Sequence, residues 1–335
     1  MDILKSVAGH ITRAFRIPKP FNWGYPVFYG SLGLAVSLII LKLMYSGAFQ
    51  FSSTSLIGCS ISVMLIVMFA FIVPSVLIAE RSGLCITGHY TGIGSLILSF
   101  LSGSALYLVK AGLHNLTAAL WLRMGGTIVF PAVFYHIEGM NGQTLLLEVL
   151  IDTIVPAFGF SLFFLGIVWQ GFSERNRGAA FVLIPLLFAA FSFNIMDVAA
   201  ILVIGWWLCL VRSRTENIYG PILALIGLRL TGIIIGGVVG EVDLTTIRVF
   251  SDIPHTIYYE SVPALVVAVI LMAFFRKTLG EFHAVYSADI YGEDQKKELK
   301  GDSEAGFLAG FNLTFVLGIV ILVVFWILIS KGVRL

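Results

Sequence analysis

Charge is what this chain has least of. Only 12% of its residues are Asp, Glu, Lys or Arg, while 58% are hydrophobic and the mean hydropathy is +0.97. A soluble domain carries about 25% charge, so the balance excludes a water-soluble globule and implies a polytopic helical membrane protein. The formal net charge is +2. No basic cluster carries interleaved aromatics, so nucleic acid is excluded as a partner. Cysteine is scarce too. Cys59, Cys85 and Cys209 are odd in number and form no C-x-x-C pair. They support neither a disulfide framework nor a zinc site and read as small buried residues. The six histidines, His10, His89, His114, His136, His255 and His283, show no H-x-x-x-H spacing. Each is expected in a loop or at a helix end, and no metal or other cofactor is expected. Gly125-Gly126 lacks the strand, lysine and hydroxyl of a phosphate loop. No cleavable signal peptide is expected, and no inverted repeat announces a transporter.

What is present is a series of apolar segments. Residues 1–26 read as an interfacial amphipathic arm, with Ile3, Leu4, Val7, Ile11 and Phe15 at helical spacing among basic residues. Trp23 and Tyr25 are expected at a membrane interface. Residues 27–145 form an N-terminal group of membrane helices. Spans are expected over Val27–Phe49, Leu56–Ala79 and Gly92–Val109, followed by a re-entrant or interfacial pair of half-helices in 110–145. Arg123, Gly125-Gly126 and Pro131 motivate that element, because an arginine at mid-membrane costs a few kcal/mol on insertion scales. Residues 146–239 form a core of four helices: Leu146–Gly171, bent at Pro156, then Ala179–Phe193, Val198–Val211 and Ile218–Val239. Residues 240–335 add a mixed polar loop, a span over Val262–Phe275, a charged soluble loop at 276–304 and a last span over Ala305–Ser330. The expected count is nine spans and one re-entrant element, in an all-α bundle of about nine or ten membrane helices.

With a cytoplasmic N-terminus and a non-crossing 110–145, 14 of the 21 Lys and Arg fall on the cytoplasmic side, as the positive-inside rule requires. The expected location is the plasma (cell inner) membrane, with lipids as neighbours.

The core also carries a pattern. Pro156-Ala157-Phe158-Gly159-Phe160-Ser161-Leu162-Phe163-Phe164-Leu165-Gly166 opens it, and Phe188 to Ser192 follows. A helix ending in Arg212-Ser213-Arg214-Thr215 precedes Pro221 to Arg229. This frame resembles the CPBP family, the CAAX-prenyl-endopeptidase-like intramembrane glutamic proteases. That family carries E-E-x-x-x-R-G, then F-x-x-x-H, then H-x-x-x-N on successive core helices. On that alignment the two glutamates fall on Phe160 and Ser161, and the arginine on Leu165. The first histidine falls on Ser192, and the second histidine and asparagine on Leu225 and Arg229. The resemblance implies a CPBP-like four-helix core without the family's general base, its histidine partners or its oxyanion stabiliser.

No catalytic residue is therefore assigned. The residues of interest are buried polar ones. Arg229 lies about nine residues inside an apolar helix and needs a partner or a wet cavity. Asp152 and Asp197 are the core carboxylates nearest to it in the reading, and Arg123 marks the re-entrant region. The leading expectation is a non-catalytic protease homologue acting as a scaffold, joined to other membrane-protein subunits or to copies of itself. A transporter or channel component with a polar pathway near Arg229 is the second reading. A membrane protease of divergent mechanism, built around Ser161, Ser192 and Arg229, is the third.

Overall fold

The computed structural model describes residues 21–44, 56–84, 86–88, 92–126, 148–172, 177–242, 247, 250–253, 256–290 and 307–330. Among them every regular element is helical, and an isolated bridge joins Gly88 to Asn217. Six helices are long and apolar enough to cross a membrane, and three shorter apolar helices accompany them. The protein is an all-α polytopic bundle. The residues of the N-terminal arm up to position 20, and residues 127–147 of the expected re-entrant element, lie outside the described residues.

Helix α1 spans Gly24–Leu43. Helix α2, Leu56–Ile66, runs through a π-helical stretch, Val67–Ile72, into α3, Val73–Ser82. Helix α4 spans Ile93–Arg123. A second π stretch, Glu148–Ile154, precedes α5, Val155–Phe160. Both of these π stretches follow from proline. Pro74 and Pro156 lack an N–H, and their rings crowd the carbonyl four residues back. That carbonyl belongs to Ala70 in one case and Asp152 in the other, and each sits inside its π stretch. A third π stretch, Ser161–Val168, extends α5 with no proline in it. The rest of the core is α6, Arg177–Ala190, α7, Val198–Thr215, and α8, Tyr219–Ile235. Helix α9 runs Thr256–Ile290 and α10 runs Leu313–Ser330.

The structure corrects the sequence reading in three places. Helix α4 is continuous, so the third span does not stop at Val109 and residues 110–123 form no half-helix. The Gly125-Gly126 pair terminates that helix. Gly125 takes φ +78°, its N–H bonds the Leu122 carbonyl, and the Gly126 N–H bonds the Trp121 carbonyl. This doubly bonded glycine stop absorbs the last free carbonyls of a helix. Arg123 consequently lies exposed in the final turn rather than at mid-span. The second correction is α9, which runs on through residues 276–290 that were expected to begin a soluble loop. The third is Trp23, which is fully buried rather than interfacial. Its ring stacks on Phe172 at 5.4 Å and meets Phe311 and Phe315 edge-on, tying the start of α1 to the approach to α10.

Helix α4 is the axis of the bundle. It packs along α8 and α9 and touches α7. At its crossing with α8 the two backbones meet. A Cβ on Gly103 would lie 2.2 Å from the Ala224 carbonyl oxygen, and one on Gly227 2.1 Å from that of Phe100. Small residues allow this approach, which yields dispersion contact that lipid cannot supply. Gly227→Leu should therefore destabilise the protein by about 1–3 kcal/mol, the usual penalty of overpacking. Gly178→Ala, where an added Cβ meets nothing within 4 Å, should change stability by less than about 1 kcal/mol. Unfolding titrations in mixed micelles would compare the two.

Candidate functional site

The aligned motif positions converge, with exceptions. Phe160, Phe164 and Leu165 from the α5 helix, Ile184 and Phe188 from α6, Gly205 and Leu208 from α7, and Leu225 from α8 line one cavity of about 10 Å³. That is the smallest volume that admits one water, and a water there would find no polar partner on the lining side chains. Phenylalanines pack around it: Phe71 against Phe160 at 4.8 Å, Phe160 against Phe188 at 5.3 Å, and Phe164 against Phe188 at 5.2 Å. These are the offset and edge-on geometries that aromatic quadrupoles favour. Pro185 and Gly205 bring α6 and α7 close, since a Cβ on Gly205 would sit 2.9 Å from the Pro185 Cα.

Ser161 is fully buried, and its Oγ has no hydrogen-bond partner among the described residues. Ser192 lies beyond the end of α6 and is not in the cavity wall. Its Oγ donates back to the Ala189 carbonyl at 2.7 Å. The chain turns there, with Phe193 at φ 51°, and the two serines are not joined by a hydrogen bond. Leu165 holds the arginine position of the motif, yet a guanidinium reaches it from another helix. Arg212 is buried in the last turn of α7, and its Nε donates to the Leu165 carbonyl at 3.1 Å. The sequence had shown Arg212 only as part of a basic helix end. Burial of its long side chain was not legible from that.

The ionisable groups gather elsewhere, along one stripe of α4. The Lys110 ammonium meets the Glu241 carboxylate. His114 Nδ1 lies 2.6 Å from Asp197 Oδ1, and Asn194 Nδ2 donates to the other oxygen of that carboxylate at 2.8 Å. Asn115 is fully buried and holds three partners: it donates to the Gly240 carbonyl and the Ser261 hydroxyl, each at 3.0 Å, and accepts from the Val242 N–H at 2.8 Å. Two turns away the Tyr107 hydroxyl donates to the Val239 carbonyl at 2.8 Å. The network clasps the 191–197 turn, the 236–242 segment and the start of α9 onto α4. A small apolar cluster of Ala118, Leu122, Met196, Val242, Ile253 and Ile257 packs beyond it.

Burial works against the charged form of Asp197. The hydrogen bond from His114 and the positive charges of Lys110, His114 and Arg229 outweigh it and hold the carboxyl at about 2. Burial also opposes charge on Glu241, and the Lys110 ammonium overcomes it, lowering that carboxyl as well. His114 therefore stands inside a long helix, buried and bonded, not at a helix end as expected. Among the described residues no hydroxyl or thiol bonds to it. No group of three or more His, Cys, Asp or Glu among the described residues could hold a metal.

Of the carboxylates expected near Arg229, Asp197 feels its charge but is occupied by His114 and Asn194. Asp152 is half-buried in the second π stretch. Arg229 itself is exposed on α8 and has no hydrogen bond or ion pair among the described residues.

Residues 142–231 match the model of the Rce1-like type II CAAX prenyl endopeptidase family. The chain is similar to that family over about a quarter of its length. The matched segment contains the whole aromatic cavity, Arg212 and Arg229, and ends just past Arg229. No curated protein and no solved structure matches the chain.

Asp197→Ala should leave His114 and Asn194 without their shared acceptor. The expected loss is about 1–3 kcal/mol, the cost of orphaning buried polar groups. Thermal melting in detergent would read it. A double-mutant cycle with His114→Ala should return a coupling of at least about 0.5 kcal/mol, as groups in direct contact do.

Proposed function

We propose that this chain is a non-catalytic relative of the CAAX prenyl endopeptidases, serving as a scaffold or subunit of a larger complex in the plasma (cell inner) membrane, with its N-terminus cytoplasmic. The observation that carries the reading is the chemistry of the cavity. Peptide hydrolysis by a glutamic mechanism needs a carboxylate to activate water and donors to hold the oxyanion. The side chains that line this cavity are large and apolar, Phe160, Phe164, Leu165, Ile184, Phe188, Leu208 and Leu225, with Gly205 completing the wall. None of them takes or gives a proton. Ser161 and Ser192 have neither histidine nor lysine bonded to them among the described residues, which also speaks against a protease of another mechanism.

A transport pathway finds less support. The ionisable residues of the network are tied to one another, and the side chains lining the cavity are apolar. An apolar cavity of this size supports a subunit that works through its outer surface.

The purified protein in nanodiscs should not cleave a farnesylated CAAX peptide above the rate of empty nanodiscs. Cleavage that disappears with a single substitution between residues 152 and 232 would overturn the reading. Native mass spectrometry after mild extraction from source membranes should show the chain together with at least one further polypeptide.

A further inference from the structure

Arg229 is an exposed charge well inside an apolar helix of the core. It sits ten residues from Tyr219 and six from Ile235, the two ends of α8. At 1.5 Å per residue that places its Cα about 15 Å and about 9 Å from them. Its side chain leans toward the helix N-terminus, as helical side chains do, so it is directed away from the nearer end. Snorkelling is thereby made harder. A charge at that depth faces a bundle interior, a wet cavity or an opposite charge. Its helix turns it outward, and Asp197, the carboxylate that feels its charge, is engaged by His114 and Asn194.

The face around it is apolar and incompletely covered. Leu223, Ile226, Leu230 and Ile233 are half-exposed at alternating spacings of three and four, and Tyr219 and Ile234 are exposed at either end. That is the spacing of a seam that takes a second helix. We infer that this face of α8 receives a transmembrane helix of another polypeptide, carrying an aspartate or glutamate at mid-membrane depth that pairs with Arg229. The charge selects the partner and the apolar seam packs it. A second copy of this chain fits less well. Among the described residues the exposed glutamates, Glu80, Glu260 and Glu281, lie toward helix ends rather than on a mid-span face. The inference rests on the subunit reading above and names the contact it needs.

A photoreactive amino acid placed at Ile226 or Ile234 of the full chain, irradiated in source membranes, tests it. Both positions should give one discrete adduct with a second polypeptide, and a probe at exposed Val267 on α9 should not. Arg229→Gln should lower the adduct by about tenfold or more, the scale of losing one member of a desolvated charge pair. Arg229→Lys should retain most of it. Peptide mapping should place the adduct beside a carboxylate in a membrane span of the partner. Arg229→Glu combined with an acidic-to-arginine change there should restore it. Adducts with lipid alone, with a second copy of this chain, or unchanged by Arg229→Gln would overturn the inference. Size-exclusion profiles and melting curves of each variant separate loss of the contact from loss of folding. The peptide-cleavage assay is independent: cleavage with a persistent adduct removes the non-catalytic reading alone, and absent cleavage without an adduct removes this one.

Discussion

The backbone contact between α4 and α8 is the feature on which the rest of the structure depends. In lipid, helices gain nothing by hiding apolar surface from a solvent that is itself apolar. They gain by approaching closely. Gly103 and Gly227 let two carbonyl-bearing backbones touch, and the alignment they fix carries the polar stripe of α4 onto its partners. Ser104 meets Thr231 at 2.9 Å, Tyr107 reaches the Val239 carbonyl, and Lys110, His114 and Asn115 take the loops beyond. The same helix thus supplies dispersion at one level and charge pairing at another. A shift of one turn would strand every partner of the second level.

The cavity in the core obeys a different rule. A glutamate in hydrocarbon is costly, on the order of 2.5–3.5 kcal/mol for acidic or basic residues at a helix centre, and it is tolerated only where water or a partner reaches it. Phe160 in such a place reverses the sign. Each aromatic pair it forms contributes about 0.5–1.5 kcal/mol beyond simple burial. The cluster therefore needs no water and leaves little room for one. Ser161 is the residue that does not fit this logic, since its buried hydroxyl has no partner among the described residues. The π stretch that it opens has one compensated irregularity: the Leu165 carbonyl accepts from Arg212. In a bilayer backbone carbonyls are satisfied within the protein, and the buried Arg212 supplies a donor at that point.

Much of this was legible in the sequence. Within the described residues every apolar segment read as a span is a helix, because apolar run length is a strong signal when water is absent from the surroundings. The convergence of Phe160, Leu165 and Leu225 followed from the spacing of the frame. What failed was local. Arg123 with Gly125-Gly126 looked like an interruption within a membrane element and is a helix terminus, because one glycine in the left-handed region and one exposed cation suit an ending as well as a break. His114 and Lys110 were invisible as pairs with Asp197 and Glu241, since contacts across 83 and 131 positions leave no periodicity to read. Ser192 was placed in the site by counting from Phe188, but α6 ends at Ala190 and helical register ends with it.

Two arginines of the matched segment, Arg212 and Arg229, carry the last step. Arg212 and Arg229 are equal in charge and lie in adjacent helices, yet the fold treats them oppositely. Arg212 is buried and its Nε bonds a carbonyl that the π stretch presents. Arg229 is exposed and has no ion pair or hydrogen bond among the described residues. A neutral side chain at 229 would relieve the insertion cost without disturbing any such bond within this chain. Arg212 is bonded within the chain, whereas Arg229 shares no such bond and acts on Asp197 through its charge alone. The side chains that line the cavity are apolar, so Arg212 and Arg229 both lie outside its wall.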